Sequence, residues 1–202
     1  MTDPAEPLSP YEWDVLADRT FLPAKARAAA HIEWLLDALR TDILTELHTC
    51  GEAAALLTHP GKISRGENYR QFAFRVLDAP ARMAGQDLVM FRTVVVFGHP
   101  VGFHLILAGA WLQYLAPRLA DQPGALLADW VRCEQPTPWI WEPDPEHQVP
   151  VGAQILPDDW RGRDFLKWSV YLPLNRYREI PAKGVQYWQV WQRLLFGIKV
   201  LE

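Results

Sequence analysis

The run VVVFGHPVGFHLILAGAWL, from Val94 to Leu112, contains no Asp, Glu, Lys or Arg, and it constrains the fold more than any other stretch of the chain. Its length alone would suit a membrane-spanning helix. Its middle does not, because Gly98, Pro100 and Gly102 punctuate it as a turn punctuates two strands. β-Branched residues crowd the first half and alternation marks the second, so the segment is predicted to be a hairpin and not a membrane span. With Gly98 to Gly102 as the turn, Val96 is expected opposite His104 and Phe97 opposite Phe103. A slip of one residue would exchange the two faces.

A hairpin needs partners. FAFRVLDA, from Phe72 to Ala79, reads as a strand before it, and LVMFRTVVVF, from Leu88 to Phe97, as its first arm. The short ARMAGQ between them is helix-like but too brief for a parallel crossover, so an antiparallel meander is expected. DFLKWSVYLPL, from Asp164 to Leu174, is the last strand candidate. Helices flank these strands. From Pro23 to Leu47, Ile32, Leu35, Leu36, Leu39, Ile43 and Leu47 recur at three- and four-residue spacing, and Gly51 is a candidate stop signal. Pro181 opens a C-terminal helix with Val185, Trp188, Trp191, Leu194, Leu195 and Ile198 on its apolar side and Lys183, Gln186, Gln189, Gln192 and Arg193 largely opposite. Residues 109–131 also read as helical, interrupted by Pro117 and Pro123. Between about 133 and 160 the prolines enforce an extended chain. There, Trp139 and Trp141 would share a face if that piece were a strand.

The expectation is therefore an α+β fold: an antiparallel sheet packed against long N- and C-terminal helices. Residues 1–10 are read as a flexible arm and 11–202 as a single domain, a length sufficient to bury a sizeable core. With 10 tryptophans in 202 residues, most indoles are expected inside, given how buried Trp is on average; a minority would line a pocket or an interface. A formal charge of -4 and a pI near 5.9 argue against a nucleic-acid partner, since phosphate neutralisation requires a basic face. The acidic, proline-rich start lacks the basic and apolar regions of a secretory signal. The two cysteines, Cys50 and Cys133, suggest no disulfide framework. Cytoplasmic residence is the resulting expectation.

Familiar catalytic motifs are missing. Gly61-Lys62 has no glycine five residues ahead, so it is not a phosphate loop. Neither a dinucleotide fingerprint nor a nucleophile elbow is present. The six histidines never form H-E-x-x-H, and neither cysteine has a C-x-x-C partner, so no metal and no cofactor is expected. Cys50, near a helix C-terminus, is a poor thiolate, and Cys133 sits between Arg132 and Glu134.

What remains is polar chemistry beside apolar strands. HPGKISRGENYRQF, from His59 to Phe72, reads as a polar loop in which Arg65 and Glu67 pair, Asn68 turns the chain and Tyr69 closes the core edge. Solvated loops of this kind are common connections. Three strand residues sharpen the reading: Arg75, Arg92 and His104. A charge within an apolar strand either faces water or is buried with a partner. Arg92 and His104 share a predicted face with Met90, Val94 and Val96. Under the proline-rich segment, Arg92 could hold an anion while His104 moves a proton, with Asp78 and Glu67 as candidate partners. The candidate ligand-binding residues are Arg65, Glu67, Asn68, Tyr69, Arg92 and His104.

Ser64 to Tyr69, Leu77 to Pro80, Arg92, Thr93 and Gly98 together resemble a pattern in a family of small bacterial proteins with no established function. The resemblance spans roughly Gly61 to Ala108. Ala81, between Pro80 and Arg82, departs from that pattern, as does the VVVFGHP run. The resemblance implies a bacterial, soluble origin and points to no particular activity. The favoured reading is a module binding a small molecule or a partner protein. An enzyme using the Arg92–His104 face, and an interaction module with exposed tryptophans as anchors, are the alternatives. Assembly into a homo-oligomer is compatible with each.

Overall fold

A computed structural model describes residues 6–48, 59–119, 127–151 and 160–197. Two helices open the chain, α1 (Pro10–Ala17) and α2 (Phe21–His48). Four antiparallel strands follow: β1 (Lys62–Tyr69), β2 (Phe72–Ala84), β3 (Asp87–Val96) and β4 (Val101–Ala108). Helix α3 (Gly109–Leu115) and a 3-10 turn (Ala116–Leu119) lead on to β5 (Val131–Cys133), β6 (Gln148–Pro150) and β7 (Phe165–Leu172). A 3-10 segment (Leu174–Glu179) then delivers the C-terminal helix α4 (Ile180–Phe196). The seven strands form one antiparallel sheet in the order β1-β2-β3-β4-β7-β5-β6. This is the expected α+β class, and no helix among the described residues is long and apolar enough to cross a membrane.

One face of the sheet carries the main core. Leu77, Phe91, Val95, Phe103, Leu105, Leu107, Leu166 and Trp168 point toward the helices and join Ile32, Leu35, Leu36, Leu39 and Ile43 of α2 with Trp188, Trp191, Leu194 and Leu195 of α4. Each helix stripe read from the sequence is thus covered by the sheet or by the other helix, as an amphipathic helix requires. Gln192 of α4, assigned to the polar side, is in fact buried. Ile198, Cys50 and Gly51 lie outside the described residues. Trp168 stacks on Trp191 with ring centroids 5.0 Å apart, and Trp130 meets Trp191 edge-on at 4.9 Å, so several indoles do fill this layer. The two long helices approach closely because Gly184 has no side chain; a Cβ there would lie 2.5 Å from a methyl of Leu39.

Four expectations require correction. The polar stretch after His59 is an edge strand, β1, paired with β2 from Lys62↔Asp78 to Tyr69↔Phe72. Its turn is not at Asn68 but at Arg70 and Gln71, whose φ angles are +48 and +74°. Positive φ at both central residues is the hairpin pattern that matches strand twist, ordinarily signalled by Asn-Gly; Arg-Gln gives no such signal. The helix-like ARMAGQ is mostly the second half of β2, which resumes pairing as Ala81↔Met90 after an irregularity beyond Asp78. The central hairpin pairs Arg92↔His104 and Val94↔Gly102, where the turn placement predicted Val96 opposite His104. The shift keeps the parity, so the predicted faces survive although the partners change. Finally, the described part of residues 109–131 is not one helix: α3 gives way to the 3-10 turn at Ala116, where Pro117 cannot continue an α-helix, and Pro123 lies outside the described residues.

Candidate functional site

The second face of the sheet faces away from the long helices. The register aligns one residue from each strand across it: Lys62, Asp78, Arg92, His104, Ser169, Val131 and Pro150. Five adjacent polar residues therefore form a single row at the spacing of neighbouring strands. Exposure falls along it: Lys62 is in solvent, the side chains of Asp78 and Arg92 are 16% and 11% exposed, and His104 and Ser169 are at 0%. Apolar clusters flank the row, with Val76, Val94 and Val96 on one side and Ala81, Leu88, Met90 and Ile106 on the other.

A loop, residues 134–147, lies across this row as a strap. It leaves β5 and returns as β6, its base closed by Cys133↔Gln148 pairing and by the Glu134 N–H donating to the His147 carbonyl at 2.8 Å. Its ends being close makes it a compact Ω-type loop rather than the strand that would have put Trp139 and Trp141 on one face. The two indoles nevertheless converge. The Arg92 guanidinium lies 4.7 Å from the Trp139 ring and 5.7 Å from that of Trp141, distances suited to cation–π attraction. Trp141 also stacks on Tyr69 at 4.3 Å. The Tyr69 hydroxyl donates to Glu142 at 2.5 Å and accepts from the backbone N–H of Trp141 at 3.0 Å. Burial, reinforced by Glu142, pushes the Tyr69 phenol up to about 12. The Glu142 carboxyl is held below its ordinary value despite its burial, by Tyr69 and then by the charge of Arg70, with which it forms an ion pair.

Arg92 is fixed by Asp78 opposite it, Nε donating at 2.6 Å and Nη2 at 2.9 Å. This two-pronged geometry is the strong form of such a pair. It leaves Nη1 without a protein hydrogen bond among the described residues. On its outer side a groove of about 670 Å³ opens, lined by Lys62, Ser64, Asp78, Arg82, Met90 and Arg92 among others. A second hollow of about 640 Å³ lies beyond Met83 and Trp139.

Toward the interior the row becomes a neutral hydrogen-bonded chain. Ser169 Oγ lies 2.7 Å from His104 Nδ1 and 3.1 Å from Cys133 Sγ. Burial, followed by the charges of Lys167 and Arg92, drives the His104 pKa well below its ordinary value, and burial raises that of the Cys133 thiol. A neutral imidazole and a protonated thiol do not make an activated nucleophile. The His104 ring leans over Gly102, where a Cβ would come 2.5 Å from Nε2, and that nitrogen has no hydrogen-bond partner among the described residues. Lys167 is fully buried one pair along β7. Its ammonium donates to the Ile140 carbonyl of the strap, and burial lowers its pKa to about 8.

The sequence-predicted residues divide accordingly. Tyr69, Arg92 and His104 lie on the strap side, but His104 is sealed within the core. Arg65 and Glu67 do not pair with each other: Arg65 faces Glu33 of α2 at 3.8 Å, and Glu67 meets Lys25 at 2.7 Å and Arg75 at 3.3 Å. Arg75, buried and pointing to α2, also binds Glu33 at 2.7 Å, so Glu67 is unavailable as a partner for Arg92. Asn68 is exposed on β1. The residues not singled out were Lys167, Ser169 and Tyr171. Their signal was the alternation K-W-S-V-Y in the last strand, a period-two pattern whose polar members all face the strap. Among the described residues, no group of three or more His, Cys, Asp or Glu side chains is placed to hold a metal ion. Comparison with known proteins finds no family model, no curated protein and no solved structure that matches the chain.

Proposed function

We propose that this protein is a binding module for a small organic anion, taken up in the groove at the outer end of the polar row. The observation that carries the reading is Nη1 of Arg92, which has no hydrogen bond among the described residues while Asp78 and two indoles hold the guanidinium at the wall of a groove of suitable size. The Asp78 pair holds the guanidinium in place, and the Lys62 ammonium, which has no ion pair among the described residues, stands two strands over in the same row. Met90 and Ala81 supply an apolar wall, so the ligand class is one with an acidic head and a compact apolar body. Pockets of this kind combine few fixed polar groups with apolar lining. The buried His104–Ser169–Cys133 chain acts behind the site by fixing the sheet, not by exchanging protons with a ligand.

Phenyl phosphate and benzoate are suitable probes, read by backbone amide chemical shifts. Binding is expected to move the amides of Lys62, Asp78, Met90 and Arg92. Lys62→Ala should weaken it by about tenfold, the scale of one lost charge-assisted contact. Arg92→Lys, which keeps charge but loses the planar fork, should do the same. Benzyl alcohol, with the ring but no charge, should bind far more weakly. Shifts confined to other surfaces, or affinities indifferent to both substitutions, would remove the reading.

A further inference from the structure

Helix α1 is well formed yet buries nothing. Ser9 and Glu12 close a reciprocal cap, with the Ser9 N–H donating to Glu12 at 2.7 Å and the Glu12 N–H to Ser9 at 3.3 Å, while none of its residues is buried. Tyr11, Trp13 and Leu16 are 76%, 61% and 69% exposed. At 100° per residue, Leu16, Trp13 and Ala17 form an apolar stripe bordered by Glu12 on one side and Asp14 on the other. An eight-residue helix without a covered face is not expected to persist alone in water.

The same end of the molecule carries an unfilled complement. Between the first turns of α2 and the end of β3 lies a groove of about 500 Å³, predominantly apolar, lined by Ala24, Arg27, Ala28, His31, Phe97 and Tyr177 among others. Arg27 is exposed at its rim and makes no ion pair with any described residue. His31 is braced between Trp34, stacked at 5.6 Å, and Tyr177, edge-on at 5.7 Å. The lining from Ala24 to Ile32 spans about 12 Å of helix, which is also the length of α1.

We infer that this groove receives α1 of a second copy of the chain, and that two copies exchange these helices about a two-fold axis. Donor and acceptor adjoin on one end of one chain, so reciprocal exchange closes the assembly at two copies. Charge fixes the choice of occupant. Asp14, on one border of the stripe, meets Arg27 in a partner copy, whereas both bordering acids would be repelled by an anionic lipid surface, which rejects acidic helices.

Sedimentation equilibrium of the full chain tests this over about two decades of concentration, where a reversible dimer reveals itself by mass action. The chain should show a monomer–dimer equilibrium. Trp13→Ala should weaken it by removing the central anchor. Asp14→Lys and Arg27→Glu should each weaken it at least about tenfold, and the doubly substituted chain should recover most of that loss, as expected of a direct charge pair. Circular dichroism would verify that each variant keeps its helix content. A monomer at every concentration would overturn the inference. So would a dimer indifferent to these substitutions, or a double variant no tighter than the singles.

Discussion

His104 is the residue whose environment makes the sharpest demand on solution conditions. In the folded chain its pKa is driven far down, chiefly by burial, whereas in the unfolded chain it returns to about 6.5. Below that pH the unfolded state binds a proton that the folded state refuses, so stability is fully present above about pH 6.5 and lost as the pH falls. The loss from this one group approaches about 1.4 kcal/mol for each pH unit. Urea unfolding followed from about pH 7.5 to about pH 5 should show this decline, and His104→Gln should flatten it whatever its effect on the midpoint. An unchanged slope in the variant would mean that His104 is protonated in the native protein. The histidine was visible in the sequence as a polar residue in an apolar strand, and so was Arg92. What could not be read was their direct opposition, because the register depends on a four-residue turn region rather than on either strand. Nor could the sequence separate a histidine that meets ligand from one sealed behind an arginine, since both occupy the same face.

At the scale of elements, the least legible feature was β1. Its residues are polar because it is an edge strand whose outward side meets water and whose inward side pairs with α2, Arg65 with Glu33 and Glu67 with Lys25. That composition is indistinguishable from a loop when the turn lacks glycine or asparagine. The turn itself carries a testable cost. Gln71 holds φ at +74°, a conformation that costs an ordinary residue roughly 1 kcal/mol relative to glycine. Gln71→Gly should therefore raise the urea midpoint, with a gain in stability of up to about 1 kcal/mol once the added freedom of the unfolded chain is offset. A lowered midpoint would show that the Gln71 side chain contributes more than the strain removes. The long helices and the inner strands were legible for the opposite reason: their apolar periodicities are long and each has a single face to satisfy.

For the molecule as a whole, the seam between α2 and α4 holds the helical layer against the sheet. Its closeness depends on Gly184 against Leu39. Gly184→Ala should cost about 1–3 kcal/mol in urea unfolding by overfilling that contact, and Leu39→Val should recover part of the loss if the clash is local. Additive effects of the two changes would place the strain elsewhere. The sheet that this layer covers ends at β1 and β6, and neither end invites another strand. β6 is three residues long and finishes at Pro150, which has no N–H to offer. β1 displays Lys62, Arg65 and Glu67, and charged edges resist in-line pairing. The sheet is thus closed to growth in the direction of its own hydrogen bonds. A lasting protein partner has to arrive side-on, over a face or against a helix.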